Sequence, residues 1–570
     1  MIKTEWWRGA LIYEVYPRSF LDTNGDGIGD LQGITSRLDY IASLGVDALW
    51  LAPIFKSPMR DFGYDVSDYR QIEPLFGRNE DFYELIQLAH EKGLRVITDL
   101  VLGHTSDQHP WFQASRREKE MADWYVWAEA KPDGTPPNNW LSVFGGSAWQ
   151  WDTIRNQYYL HHYLRTQPNL NWHNPEVVEA MLGELRFWLD HGVDGLRLDA
   201  ITTLVHDEKL RDNPVRVPPP DKAFADGNNP VTRQQLLYTR DLPQMMDILA
   251  RIRALLDEYP ERYSLGEVAD VDMIEVSAKY TQTGRHLHSC YNFELMRTSV
   301  DAEILRDIVL RTEAALGRGW TTWAMSNHDS IRVITRYGSA PNLQGNPPAL
   351  ARMLLALLTT LRGGACIYEG EELGLTEAQL SFDQLQDPYG IEFWPEFQGR
   401  DGCRTPMPWK AEASNLGFTT GKPWLPLPAE HRPLAISVQA TDPESTLNRF
   451  RECTKFRRQH PALITGSLKM LPTSGSVLAF VRQQDDDEIA CVFNLSNIEA
   501  EAHLAGTWTP ITTPSFPSWL ESSTVRLPPF GFGFFEAKPL PGADSAREVG
   551  LEMERGQGLT RRDQDLRTLR

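Results

Sequence analysis

The stretch GLRLDAI, residues 195–201, decides how this chain is read. Its apolar flanks and its length are those of a short strand buried in a parallel sheet. Residues two apart on a strand project to the same side, so Arg197 and Asp199 point together. A buried acid beside a permanent cation is expected to stay ionised, which suits a carboxylate nucleophile. Taken alone, the pair reads equally well as a structural ion pair, and the rest of the chain has to choose.

Working outward, strand-length apolar runs alternate with amphipathic helical stretches over the first two-thirds of the sequence. The strand candidates are LIYEVYP (11–17), ALWLAPI (48–54), LRVITDLVLG (94–103), GLRLDAI, YSLGEVA (263–269), a weaker run near 291–296, TTWAMSN (321–327) and CIYEGEE (366–372). LQGITSRLDYIASLG (31–45) and NEDFYELIQLAHEKG (79–93) carry helical periodicity, and the second ends on Gly93 as a C-cap does. Eight strands alternating with helices predict an α/β fold, a (β/α)8 TIM barrel, over residues 1–104 and 173–466. Two intervals exceed simple crossovers. Residues 105–172 are expected to form a subdomain inserted after the third strand. Residues 205–245, with the Pro- and Asn-rich NPVRVPPPDKAFADGNNP, follow the fourth. Both leave strand C-terminal ends, the face where barrel sites form, and both should shape the substrate entrance. Over 467–540 the short alternating runs SVLAFVRQ, EIACVFNLS and FGFGFFEA predict an antiparallel β-sandwich domain. Residues 541–570, charged and poor in apolar groups, read as a disordered tail.

Composition narrows the partners. The chain has 570 residues, with 57 Lys and Arg against 77 Asp and Glu, a formal charge of −20. That balance argues against nucleic acid and anionic membranes and fits a neutral substrate. The first twenty residues lack the basic, apolar and small-residue regions of a signal peptide, and no apolar run is long enough to span a bilayer. Five scattered Cys without metal-like spacing read as reduced thiols, so a cytoplasmic location is expected, as a monomer or homodimer.

Acidic and imidazole side chains gather at the predicted strand ends: Asp99 and His104 on the third, Arg197 and Asp199 on the fourth, Glu267 on the fifth, His328 and Asp329 on the seventh. Barrel closure would bring them to one pocket. The sequence holds no GxSxG, no HExxH, no CxxC and no P-loop, which leaves a carboxylate centre. Glycosyl transfer needs two carboxyls in opposed protonation states. Asp199 beside Arg197 suits the ionised role, and Glu267, flanked by Leu265 and Val268, suits the protonated one.

DLVLGHTS, GLRLDAI, GEVAD and SNHDS, in this order, resemble the four signature regions of the α-amylase family, glycoside hydrolase family 13. QPNLNW (167–172) is similar to its fifth region and DFGYDVSDY (61–69) to its substrate loop after the second strand. WWRGALIYEVYPRSFLDTNGDGIGDLQGI and GRDGCRTPMPW (399–409) are similar to α-glucosidases, oligo-1,6-glucosidases and bacterial α-glucosyl-transferring enzymes. The resemblance implies a retaining, exo-acting α-glucosidase with α-glucosyl transfer to a sugar or phenolic acceptor. It makes Asp199 the nucleophile, Glu267 the acid/base and Asp329 the third carboxylate. Asp61, Tyr64, His104, Arg197, His328 and Arg400 would line the glucose subsite, with Phe144 a further candidate. Ala200 stands where relatives favouring α-1,6 bonds carry Val, which points to α-1,4 linkages or small aglycones. The alternatives are an oligo-1,6-glucosidase, a sucrose- or trehalose-type hydrolase, and a non-catalytic scaffold.

In DTNGDGIGD (22–30), Asp22, Asn24, Asp26 and Asp30 surround a Gly-bearing turn, the logic of a calcium loop. Spacing and resemblance together imply a structural Ca²⁺ (or Mg²⁺), with the Ile28 carbonyl as a further ligand. Gly103 stands where relatives have an Asn that serves a second calcium, so no second site is expected.

Overall fold

The computed structural model describes residues 5–217, 229–269, 272–298, 301–513 and 519–537. The expected tail and the centre of the 205–245 interval lie outside the described residues. The eight strands form where the apolar runs place them: β1 (Leu11–Val15), β2 (Ala48–Leu51), β3 (Arg95–Val101), β4 (Gly195–Asp199), β5 (Tyr263–Glu267), β6 (Ser289–Asn292), β7 (Thr321–Ala324) and β8 (Gly364–Tyr368). They close into a parallel barrel in the order β1-β8-β7-β6-β5-β4-β3-β2. Strands buried on both faces explain why these runs are continuously apolar rather than alternating.

Inside the barrel, the lower inward positions are apolar. Ile12, Ala48, Trp50, Ile97, Tyr263, Leu265, Tyr291 and Cys366 pack as one cluster. Outward positions join the larger core shared with the helices. On β4 the inward row runs Gly195, Arg197, Asp199. A Cβ at Gly195 would lie 3.0 Å from Ile97 Cγ1 and 3.3 Å from Tyr263 Cβ, so glycine leaves room for both neighbours. Register then sets the charged layer: Asp99 pairs with Arg197, and Val101 with Asp199.

Three local expectations shift. The helix over 31–45 is two, Leu31–Thr35 and Leu38–Ser43, because Arg37 sits at φ −115°, ψ 10° and the Ser36 hydroxyl turns back to the Gly33 carbonyl. The sixth strand ends at Asn292, whose side chain accepts the Glu294 N–H and starts a helical turn. The eighth begins at Gly364, and the EGEE segment leaves it through Gly370 at φ +85°.

The insertion after β3 carries a three-stranded antiparallel sheet (Trp127–Ala128, Gln157–Leu160, Trp149–Asp152) over a small core that includes Trp140 and Trp149. The C-terminal region has a five-stranded antiparallel sheet and a three-stranded one, with Val477, Ala479, Val492, Val525 and Phe535 between them. Period-two alternation sends Leu478 and Phe480 to the other face, into the main core. Two buried arginines bolt that face to the barrel. Arg457 donates to the carbonyls of Gly9, Thr359, Gly363 and Leu463. Arg482 donates to those of Thr360, Leu463, Gly466 and Ser467. Thr359 and Thr360 follow the helix Pro347–Leu358, so both cations meet the negative end of its dipole. Burial draws Arg457 down to about 10 and Arg482 to about 9. Among the described residues, no helix is long and apolar enough to cross a membrane.

Arg482→Met leaves four carbonyls without this donor. It should lower unfolding stability by about 3 kcal/mol, since unmet buried acceptors cost ~1–3 kcal/mol each and some relax to water. Urea unfolding followed by Trp fluorescence checks this, with barrel and C-terminal signals shifting together and kcat/KM unchanged.

Candidate active site

At the C-terminal ends of the strands lies a pocket of about 200 Å³, partly open to solvent, lined among others by Asp61, Tyr64, His104, Phe144, Asp199, Glu267, Asp329 and Arg400. Eight of the ten predicted catalytic and sugar-binding residues therefore face one space.

Arg197 and His328 depart from expectation, because they form the floor beneath the pocket and not its lining. The Arg197 side chain is 1% exposed and spans three carboxylates. Its Nη1 donates to both Asp99 oxygens (2.8 and 2.9 Å) and to Asp199 Oδ1 (2.8 Å), and its Nη2 to Glu267 Oε2 (2.6 Å). The guanidinium lies over the Trp50 ring, 5.0 Å from its centroid. His328 is stacked between Tyr16 and Tyr64. It hydrogen-bonds Tyr64 Oη at 2.6 Å through Nε2 and Glu14 at 2.5 Å through Nδ1.

The electrostatics also correct the reading of the two acids. Burial pushes the Asp199 carboxyl well above its usual range; Arg197 pulls it down, while Glu267 and Asp99 push it further up. Arg197 does not suffice because its one charge is divided among three acids. Glu267 also has polar partners: it accepts from Arg197 and, at 2.9 Å, from the Ala200 N–H. Asp199 and Glu267 are joined through the Arg197 guanidinium, which donates to both. Burial lifts Asp99 to about 6 and lowers His104 to about 4, leaving a neutral imidazole whose Nε2 meets the Tyr64 carbonyl at 3.0 Å. Asp329 is the opposite case. Burial would raise it, but His328, Arg400, Arg404 and Arg197 outweigh that and hold it below the usual carboxylate range.

A second cation closes the opposite wall. Arg400 Nη2 donates to Asp61 Oδ1 and to Asp387 Oδ1, both at 2.7 Å, and Arg400 Nε reaches Asp387 Oδ2 at 3.0 Å. Gln167 holds the other Asp61 oxygen at 3.0 Å. The guanidinium lies 5.2 Å from the Phe144 ring centroid, and Phe144 stacks on Tyr389 at 4.9 Å. Asn229 joins this wall by donating to the Val143 carbonyl at 2.6 Å and to Tyr389 Oη at 3.1 Å. Sequence reasoning missed Asp387, Arg404, Asn229 and Tyr389. Arg404 stood inside GRDGCRTPMPW and was available to it; it donates to Asp329 Oδ1 at 2.6 Å.

The predicted cation loop lies apart from this pocket. Asp22 Oδ1 accepts the Asn24 and Gly25 N–H groups, Asn24 accepts Asp26, Asp26 accepts Ile28, and Asp30 caps Gly33 and holds Thr23. Among the described residues no cluster of three or more His, Cys, Asp or Glu is arranged to hold a metal. The Gly103 carbonyl accepts from the Leu170 N–H and from Asn169 Nδ2, which seam β3 to the insertion.

Residues 14–466 match the model of the alpha amylase catalytic domain, and 468–533 that of the maltogenic amylase C-terminal domain. The chain belongs to the α-amylase family. Within that family, it is 50% identical over 540 residues to a protein of Rhizobium meliloti (strain 1021) described as a probable alpha-glucosidase, covering 93% of this chain and 97% of that one. An oligo-1,6-glucosidase of Heyndrickxia coagulans is 35% identical, over 86% and 92% of the two chains. Among solved structures, the alpha-glucosyl transfer enzyme XgtA superposes with a TM-score of 0.91 at 51% identity, covering 94% of this chain and all of that one. Isomaltulose synthase from Erwinia rhapontici NX5 follows the same fold, with a TM-score of 0.83 at 32% identity over 94% and 99%.

Asp387→Asn should weaken the hold on Arg400, and through it Asp61. The expected result with a 4-nitrophenyl α-glucoside is a kcat/KM about tenfold lower, carried mostly by KM, in line with ~1.4 kcal/mol for one charge-assisted bond. Steady-state kinetics separate the two parameters.

Proposed function

We infer that the protein is a retaining, exo-acting α-glucosidase that also transfers the glucosyl group. One observation carries this: Asp199 and Glu267 are fixed by the same guanidinium at the bottom of a pocket. Two carboxyls held by one guanidinium fit the close pairing of a retaining enzyme, in which no water has to sit between them. In the first step an Asp199 oxygen bonds C1 of the glucosyl unit while the C1–O bond to the aglycone breaks, and Glu267 gives its proton to the departing oxygen. In the second step a water or acceptor hydroxyl attacks C1, loses its proton to Glu267 and frees Asp199.

The remaining residues bind and shape. Asp329, kept ionised by its surroundings, Arg400 and Arg404 among them, accepts hydrogen bonds from the sugar hydroxyls, and so does Asp61 beside Arg400. Tyr64 and the neutral His104 offer further polar contacts. The wall made by Phe144, Tyr389 and Asn229 confines binding to a chain end, which supports exo action on short α-glucosides. Ala200 lies in the pocket lining next to Asp199, and its small side chain leaves space on the aglycone side. That supports α-1,4 linkages or small aglycones, with sugars or phenols as acceptors. The transfer enzyme named above supports the transfer reaction.

Turnover should appear with a 4-nitrophenyl α-glucoside and with maltose, exceed that with isomaltose, and vanish in Asp199→Asn. Adding a phenolic acceptor should give α-glucosides. An inactive wild type, or an Asn variant as active as the wild type, rejects the assignment.

We also propose a structural Ca²⁺ at Asp22, Asn24, Asp26, Ile28 and Asp30. The donors are all oxygen, which suits a hard cation; Asn24 and Asp26 keep oxygen lone pairs beyond those the turn uses, while a cation at Asp22 would displace hydrogen bonds from Gly27 and Thr419. Chelation should lower the melting temperature by several degrees, with Ca²⁺ restoring it more fully than Mg²⁺, as read by differential scanning calorimetry.

A further inference from the structure

Two donors meet on a single oxygen of Glu267. Oε2 accepts from Arg197 Nη2 at 2.6 Å and from the Ala200 N–H at 2.9 Å, while Oε1 receives neither. A carboxyl oxygen that accepts two strong hydrogen bonds is a poor place for a proton, so the two oxygens are inequivalent.

Ala200 reaches this position through a backbone that alanine seldom adopts. Its φ of 41° and ψ of 41° are left-handed, which costs an L-residue roughly 1–2 kcal/mol. Such a conformation persists only where the surroundings over-determine it. Here both ends of the residue are held. The N–H meets Glu267, and the carbonyl accepts from Thr203 twice, from its N–H at 3.0 Å and its hydroxyl at 2.9 Å. Thr203 is buried in the single turn Ile201–Thr203 that follows. The bend comes directly after Asp199, so one short segment carries the nucleophile and a donor to its partner acid.

We propose that the Ala200 peptide N–H is a positioning donor that, with Arg197, reserves Oε2 of Glu267 and leaves Oε1 to carry the transferable proton. The left-handed bend aims that donor. The proton leaves Oε1 for the glycosidic oxygen as the C1–O bond breaks and Asp199 bonds C1. It is replaced on Oε1 from the attacking water or hydroxyl when the ester bond to Asp199 breaks. This inference rests on the roles of Asp199 and Glu267 proposed above.

Replacing Ala200 with lactic acid (Ala200→lactic acid) by nonsense suppression turns the peptide into an ester and removes only the N–H. Maltose needs its leaving oxygen protonated, whereas α-glucosyl fluoride needs far less help. The ester should therefore lose ~30-fold in kcat/KM on maltose but under ~3-fold on the fluoride, the size expected for one hydrogen bond to a charged group. Equal losses on both substrates, or no loss, overturn the proposal. A wild type inactive on both substrates overturns instead the functional reading beneath it. Should the ester not fold, the wild type labelled with [15N]alanine gives the answer. The Ala200 amide proton should lie downfield and move upfield in Glu267→Ala, and an unmoved signal overturns the proposal.

Discussion

Arg197 holds one charge between three carboxylates that come from three adjacent strands, and the arrangement of the pocket floor follows from that sharing. Each acid taken alone would resist burial, because removing a carboxylate from water is costly without a compensating partner. One guanidinium cannot neutralise all three, and burial pushes both Asp99 and Asp199 above the usual carboxylate range. The position of the cation is fixed below by Trp50, part of the apolar cluster that fills the barrel, and laterally by strand register. Core packing and acid–base poise are thus two aspects of one structure.

The same economy recurs at Arg400, which ties the substrate loop residue Asp61 to Asp387 and leans on Asp329. The two arginines differ in surroundings. Arg197 sits among acids that compete for it, and Asp199 is pushed up. Arg400, helped by Arg404 and His328, leaves Asp329 with excess positive charge nearby, and Asp329 stays ionised. Two carboxylates a few residues' width apart on the pocket wall are driven in opposite directions by how many cations each can claim.

Much of this was legible in the sequence. Strands buried on both faces write continuous apolar runs, so all eight were placed, and period two put Arg197 and Asp199 on one side. The errors share a cause. Glu267 was read from Leu265 and Val268, yet its effective neighbours are Arg197 and Ala200 on the adjoining strand and turn, which no local window contains. The family resemblance placed Arg197 and His328 in the lining, and their depth depends on how the barrel fills. Asn229 and Asp387 cap short helical turns and Tyr389 lies in the helix Pro388–Phe393, segments too short to write a periodic signal, and they meet only through tertiary closure. The helix over 31–45 broke at Arg37 because a serine hydroxyl competed locally for a backbone carbonyl.

Arg457 and Arg482 reach carbonyls of the first residues, of the segment before β8 and of the chain just before the C-terminal sheets. A fragment truncated near residue 466 would expose the seat of Phe480 and Leu478 and leave the Thr360 carbonyl without Arg482 as its donor. The segment before β1 and the C-terminal sheets are therefore stitched through one helix terminus. Domain swapping or grafting of the barrel alone onto another scaffold would have to supply a substitute for that stitch.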